Sequence, residues 1–415
     1  MQTLASLGRM LAASASTAIA LTAIAGAQSS RGPAGNAPER LDYLTFAQGA
    51  IPIAIEGPGA RLGASFEQAV RITDGDPTSF TIVTGARPET ETVFVYELPA
   101  ATTFDRFAVP NVQETPSPTQ TFTRIVEVHG SASSPTEGYA LLASGTLATH
   151  RARGQVTELK IAAKRPVRWI RLRLVGGIDT PEPLTSFEFS EIIGNGTQDT
   201  APMMDTFHGV WRTGSNVLDL QQRGPVVSGC YDRTGHLTGT VTGNILRATG
   251  LDRWPSAFIL TVMRDGSVRG VRSTNKAPFR LYSAAAAAKG ATGRCGKPAP
   301  PMLGCGSVIH GINFDFDSAR IRPESQGVLA ELFVGLKSDA RRKIVIEGHT
   351  SSEGATAYNQ QLSERRARAV VTDLVGRGLV AERVSAAGLG EVRPIAANTD
   401  ESGRLLNRRV EVKCQ

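Results

Sequence analysis

Residues 342–354 read RKIVIEGHTSSEG, and residues 357–378 read AYNQQLSERRARAVVTDLVGRG. The first segment is a short apolar run that stops at a glycine. A histidine, three hydroxyls and a carboxylate follow before the next glycine, which is the pattern of a buried strand emptying into a polar loop. The second segment has helical spacing. At about 100° per residue, Ala367, Val370, Val371, Leu374 and Val375 centre on one face, while Arg365 and Arg368 point to solvent. Gly376 or Gly378 closes this helix. Outward from the pair, SVIHGINFDF (307–316) reads as a strand and RPESQGVLAELFVGLKSD (322–339) as a helix with Pro323 near its first turn. VSAAGLG (384–390) and LNRRVEVKC (406–414) complete the sheet. The alternation predicts an α/β sandwich over residues 306–415, with helices on one face.

Upstream the pattern changes. TVFVYEL (92–98), TRIVEVHG (123–130) and RWIRLRLVGG (168–177) alternate with period two. In the last, Ile170, Leu172 and Leu174 face one way and Arg171 and Arg173 the other, as in a half-buried antiparallel strand. Without intervening helices, residues 41–196 are expected to form a β-sandwich or barrel. Residues 203–283 are hairpin-like with glycine at the turns, and Phe207, Trp211 and Tyr231 are expected in their core. An outer-membrane barrel is the alternative. It requires roughly ten-residue lipid-facing strands and aromatic girdles, whereas only 6% of residues are aromatic and Arg recurs along these strands. Residues 284–305, rich in Ala, Gly and Pro, read as a linker. The expected fold class is therefore multidomain, with two β-rich domains followed by an α/β sandwich.

Residues 1–27 read as a signal peptide, with Arg9 before a small-residue apolar core and Ala25-Gly26-Ala27 as the cleavage site. Residues 28–40 form a polar, flexible leader. No later stretch is apolar enough to span a bilayer as a helix, so an exported protein of the periplasm is expected. Export makes disulfides the default for Cys230, Cys295, Cys305 and Cys414. The favoured pairing is Cys230–Cys295 and Cys305–Cys414, each joining the two ends of one expected domain. Zinc is the runner-up, but no C-x-x-C pair is present and the six His are scattered, so no metal and no cofactor are expected. The formal charge of +7 suits an acidic polymer or surface, yet Lys/Arg runs with interleaved aromatics are absent and nucleic acid is not expected as a partner.

Several motifs carry resemblances. ITDGDPTSF (72–80), TTFDRFAVP (102–110), VEVHGS (126–131), RPVRWIRLRL (165–174) and FEFSEIIGNG (187–196) together resemble the galactose-binding-like jelly roll of discoidin-type domains. That likeness implies glycans, lipid head groups or envelope proteins as partners, or simply a scaffold whose Asp74–Pro77 stretch makes a tight turn. Residues 203–283 resemble small calycin-like barrels. FDFDS (314–318), IEGHT (346–350), YNQQLSERRA (358–367), GLGEVRPIAAN (388–398) and GRLLNRRVEV (403–412) resemble the OmpA-like C-terminal domain family over some 105 residues. The resemblance implies non-covalent binding of peptidoglycan through the diaminopimelate of its stem peptide, in the envelope of a Gram-negative bacterium and without catalysis.

The residues suit that task. A zwitterionic end group needs acceptors for its ammonium and a planar fork of donors for its carboxylate, which Arg provides. On the long helix Arg366 borders the apolar face, near Asn359, Leu362 and Ser363. In the family the loop reads G-H-T-D, its Asp meets the ammonium, and the helix Arg takes the carboxylate. Here Thr350 is followed by Ser351 at the Asp position, and a hydroxyl brings no charge. Glu353, Asp315 or Asp317 are the candidates to replace it. Two other readings are a carbohydrate-binding adhesin that uses the C-terminal domain as anchor, and a cell-wall hydrolase built on His349. No G-x-S-x-G elbow supports the second, and His349 is expected to order the loop.

Overall fold

A computed structural model describes residues 40–415 apart from 62–64, 77–80, 85–90, 111–119, 149–154, 178–185, 233, 289, 292, 294–300 and 339–341. The expected signal peptide, residues 28–39 of the leader, Pro77 and Cys295 lie outside the described residues. The N-terminal region is built on one long strand, Glu91–Val109, which pairs antiparallel with Ile51–Glu56, Pro166–Gly177 and Ile193–Gln198. Within Pro166–Gly177 the expected alternation holds. Ile170, Leu172 and Leu174 are buried, and on the other face Arg171 pairs with Glu56 while Arg173 pairs with Glu91 and Glu127. The inward residues join Phe94, Tyr96, Phe104, Phe107 and Phe189 in one core. Each such side chain contributes about 1.5–3 kcal/mol by leaving water.

Downstream, eight strands from Gly209–Thr213 to Arg280–Ala286 pair each with the next and close into a barrel. The last strand takes in Ala284, Ala285 and Ala286, the first residues of the stretch that reads as a linker. The interior is apolar. Phe207, Trp211 and Tyr231 lie in it as expected, with Phe258 meeting Tyr231 edge to face at 5.0 Å. Its strands are five to eight residues long. A transmembrane barrel needs about 9–11 per strand and an apolar exterior around a polar lumen. This barrel has the reverse polarity and shorter strands, so the outer-membrane alternative does not describe it.

The three β and α/β units share a core. On the strand Ile245–Leu251, Leu246 and Ala248 face the barrel interior, whereas Ile245 faces outward. On Pro255–Val262, Phe258 and Leu260 face inward and Ala257 and Ile259 outward. The outward set packs with Phe46, Ile51 and Val70 from the N-terminal region and with Ala396, Leu405 and Leu406 from the C-terminal domain. Arg247 enters the same junction and is 3% exposed. Its Nη2 donates to the Ala47 carbonyl (2.9 Å), while Nε and Nη1 have no hydrogen-bond partner among the described residues. Burial, with Arg408 nearby, brings its pKa down to about 10.

A second contact is polar. The Glu401 amide donates to the Asp74 carbonyl (3.0 Å), and Arg404 Nη2 donates to the Gly75 carbonyl (2.5 Å). Gly75 has φ +76°, and a Cβ there would lie 2.3 Å from the Glu401 Cβ, so only glycine allows this approach. Beside it, Asp42 Oδ1 accepts from the amides of Leu44 and Gly194, both at 2.9 Å.

In the C-terminal domain the sheet order is Val308–Ile309, Val410–Cys414, Ile344–Gly348, Val384–Gly388, and only the last pair is parallel. The helices Gln326–Ser338 and Thr356–Gly376 supply Leu329, Leu332, Ala367, Val370 and Leu374 to its core. Gly378, at φ +104°, ends the long helix, with its amide on the Val375 carbonyl. Two expectations change. The strand read at 307–316 shrinks to Val308–Ile309, because the Arg322 amide returns to Asn313 and the Asp315 amide to Arg320, folding the segment into a loop. Residues 406–407 belong to a short helix, Glu401–Asn407, capped by Asp400 on the Gly403 amide (2.7 Å). Cys305 is bonded to Cys414 as expected, and Cys230 is likewise disulfide-bonded.

Two stability predictions follow from these contacts. Replacing Cys305 and Cys414 by Ala should lower unfolding free energy by about 4–5 kcal/mol, since the bond closes a separation of 109 residues; denaturant titration of the full chain checks it. Burial, against two backbone hydrogen bonds, raises Asp42 from 3.8 to about 7. Its contribution is therefore fully present below pH 3.8 and is lost as pH rises through about 7. Melting temperatures across that window should fall more with rising pH for the wild type than for Asp42→Asn.

Candidate functional site

The loop after Ile344–Gly348 is fixed by its backbone. The His349 amide donates to the Arg409 carbonyl (3.0 Å) and the Thr350 amide to Gly390 (2.9 Å). Thr350 and Ser351 are both buried, and the Thr350 hydroxyl has no partner among the described residues. The long helix lies alongside. Asn359 donates through Nδ2 to the Ser351 carbonyl (3.3 Å) and to Glu391. Ser363 donates to the Gln360 carbonyl (2.8 Å) and accepts from the Gly390 amide (2.8 Å). Leu362 is buried. Asn359 and Ser363 therefore join the helix to the 348–354 and 388–391 loops, and their polar atoms are engaged in doing so.

Arg366 is different. Its Nε donates to the Ser318 carbonyl (2.9 Å), and its guanidinium stacks over Phe314 at 5.0 Å. Burial first, and the positive charge of Arg408 second, bring its pKa down to about 10, with Asp317 acting in the opposite direction. Among the described residues it forms no ion pair, so a desolvated guanidinium retains N–H donors for an anion. Asp317 is exposed, stands at φ +52° and accepts from the Tyr358 hydroxyl. Asp315 is bound to Arg320.

Glu353 is turned inward, but toward cations of its own domain. It pairs with Arg404 (3.3 Å) and Arg408 (3.4 Å) and accepts from the Ser351 hydroxyl (3.1 Å). Arg404 and Arg408 also hold Glu401, making one network of two carboxylates and two guanidinium groups. Sequence reasoning did not single out Arg404, Arg408 or Glu391. The two arginines lie in GRLLNRRVEV, but their use depends on the short helix Glu401–Asn407, which was not anticipated.

His349 lies under the loop, 2% exposed, with neither ring nitrogen hydrogen-bonded among the described residues. Burial, then Arg409, lowers its pKa to about 4, so the ring is neutral at neutral pH. Glu347, His349 and Glu411 bring one ligand atom each within 4.8 Å of the others, the spacing of a metal trio. Glu411, however, already accepts from Arg409 (2.7 Å) and Lys413 (2.7 Å). Burial opposes its charge, but these two cations bring it down to about 2. Glu411 is thus already held by two cations, which disfavours its use as a ligand for a divalent ion, while Glu347 Oε2 has no hydrogen-bond partner among the described residues.

The family model described as "OmpA family" matches residues 313–408. Outer membrane porin F of Pseudomonas aeruginosa is 43% identical over 105 residues, covering 25% of this chain and 30% of that protein. Outer membrane protein A of Bordetella avium is 39% identical over 100 residues, covering 24% of this chain and 52% of the relative. The chain thus spans about a third to a half of the length of these relatives. Among solved structures, the peptidoglycan-associated lipoprotein from Burkholderia pseudomallei is 35% identical, with a TM-score of 0.24, covering 25% of this chain and 88% of that one. Behind its β-rich N-terminal region, this chain carries an OmpA family domain at residues 313–408.

Proposed function

We propose that the protein binds peptidoglycan non-covalently through residues 306–415, and so holds the β-rich region of residues 41–283 at the cell wall in the periplasm of a Gram-negative envelope. The observation that carries this reading is Arg366: a desolvated guanidinium, lowered to about 10 and without an ion pair among the described residues, on the same helix as Asn359, which binds the Ser351 carbonyl. In this reading it takes the carboxylate of the diaminopimelate centre. The OmpA family match to residues 313–408 supports the ligand class. The protein acts as a binding module, since His349 is buried beneath the loop with no approach for a substrate.

The ammonium end is the weaker half of the pocket. Glu353 stands close enough to Ser351 to replace the missing acid, but its charge is matched by Arg404 and Arg408. Ser351 therefore offers a hydroxyl oxygen where an ion pair would be stronger. Asp317 remains an exposed carboxylate at the rim.

Arg366→Ala should reduce retention of the full chain on purified diaminopimelate-containing sacculi by about tenfold to a hundredfold, the loss typical of one charge-assisted hydrogen-bonded contact. Retention equal to wild type in a pull-down assay would remove Arg366 from the site. Ser351→Asp should tighten binding of a diaminopimelate stem peptide by about tenfold by adding an anion for its ammonium, whereas Arg366→Ala should abolish the preference for that peptide over one carrying lysine, which has the ammonium but not the carboxylate. Calorimetric titration of both peptides reads the difference.

A further inference from the structure

The barrel presents an exposed apolar tip ringed by cations. Consecutive strands alternate direction, so the turns Leu251–Pro255 and Thr274–Arg280 leave the barrel at the same end. They are pinned together: the Asn275 amide donates to the Pro255 carbonyl (2.8 Å), and Ser256 meets Thr274 through their hydroxyls (3.3 Å). On the first turn Leu251 is 63% exposed and Trp254 is 51% exposed. Arg253 stands over the Trp254 ring at 5.8 Å. Lys276 and Arg280 are exposed on the second turn. Of the acids at this end, Asp232 is paired with Arg272 (2.7 Å), and Asp252, which accepts from the Thr234 hydroxyl (2.5 Å), is outnumbered by Arg253, Lys276 and Arg280.

Two features set this tip apart from an ordinary solvated turn. A tryptophan and a leucine half or more exposed on one hairpin leave apolar surface in water that the fold does not need there. Asn275 has φ +53° and Lys276 φ +60°, a left-handed conformation that lysine adopts at a cost, and Lys276 is exposed. An apolar wedge with an indole, flanked by long basic side chains, is the composition of an interfacial membrane contact. The ring and leucine enter the head-group boundary while Arg and Lys meet anionic phosphates. An acidic polysaccharide would satisfy the cations but not Leu251.

We propose that this tip, Leu251, Arg253, Trp254, Lys276 and Arg280, is a docking surface for an anionic lipid bilayer. The full chain should co-sediment with vesicles of equimolar phosphatidylglycerol and phosphatidylcholine and not with phosphatidylcholine alone. Each cation contributes about fivefold in partitioning, so Arg253→Gln, Lys276→Gln and Arg280→Gln together should reduce it by about a hundredfold. Leu251→Ser with Trp254→Ser should reduce it comparably, by removing the wedge. Tryptophan emission gives a second readout. Of the three Trp in the chain, Trp211 is in the barrel core, Trp169 is half-buried in the strand Pro166–Gly177 and Trp254 is exposed, so vesicles should shift the wild-type spectrum to the blue and leave Trp254→Phe unshifted. The proposal is overturned if the protein ignores anionic vesicles. It is equally overturned if the serine variant binds them like wild type, or if soluble heparin competes fully and the emission does not move, since either outcome assigns the tip to charge alone.

Discussion

Burial of Arg247 among three units is the constraint on which the arrangement of the described chain depends. An arginine that is 3% exposed and has one hydrogen bond among the described residues is costly to bury, and although its pKa, lowered to about 10, keeps it charged at neutral pH, the apolar packing around it must offset that cost. That packing comes from Phe46 and Val70 on one side, Ile245, Ile259 and Val271 on the barrel, and Leu405 and Leu406 on the C-terminal domain. The same cluster fixes Leu405 and Leu406 on the helix that carries Arg404. Since Arg404 in turn holds Glu353, the 348–354 loop is organised partly by residues more than three hundred positions away in sequence.

How much of this was legible follows from what each signal measures. Period-two alternation in RWIRLRLVGG depends only on one strand and one core, and it gave the right faces for Ile170, Leu172 and Leu174. The helical stripe of Ala367, Val370 and Leu374 was readable for the same reason. The shared junction was not. Its sequence trace is the unbroken apolar run AFIL at 257–260, where both faces of a barrel strand are buried, and such a run does not say what covers its second face. The strand at 307–316 was overread because the hydrogen bonds that fold it back come from Arg320 and Arg322, outside the run itself.

The candidate site divides in the same way. Arg366 at the border of the apolar face followed from helix geometry, and the structure places it there, over Phe314. The fate of Glu353 could not be read, because a carboxylate two residues from Ser351 can face a ligand or its own protein. That choice is set by Arg404 and Arg408, brought to it by a seven-residue helix too short to show periodicity. Asn359 and Ser363 share Arg366's side of the helix, yet their hydrogen bonds are made to loop backbone. Proximity on a helical wheel identifies neighbours but does not say which of them retain unused donors.

The bond between Cys305 and Cys414 has a mechanical side. The strand Val410–Cys414 lies between Val308–Ile309 and Ile344–Gly348, and peeling it away would expose both neighbours. With Cys414 tied to Cys305, tension between the 348–354 loop and the β-rich region cannot unzip that strand from its end, and the pairs along it must be sheared together. Shear loads many hydrogen bonds at once, whereas unzipping breaks them one by one. The covalent link thus places the pair of strands Ile344–Gly348 and Val410–Cys414 in shear when the polar loop and the β-rich region are pulled apart.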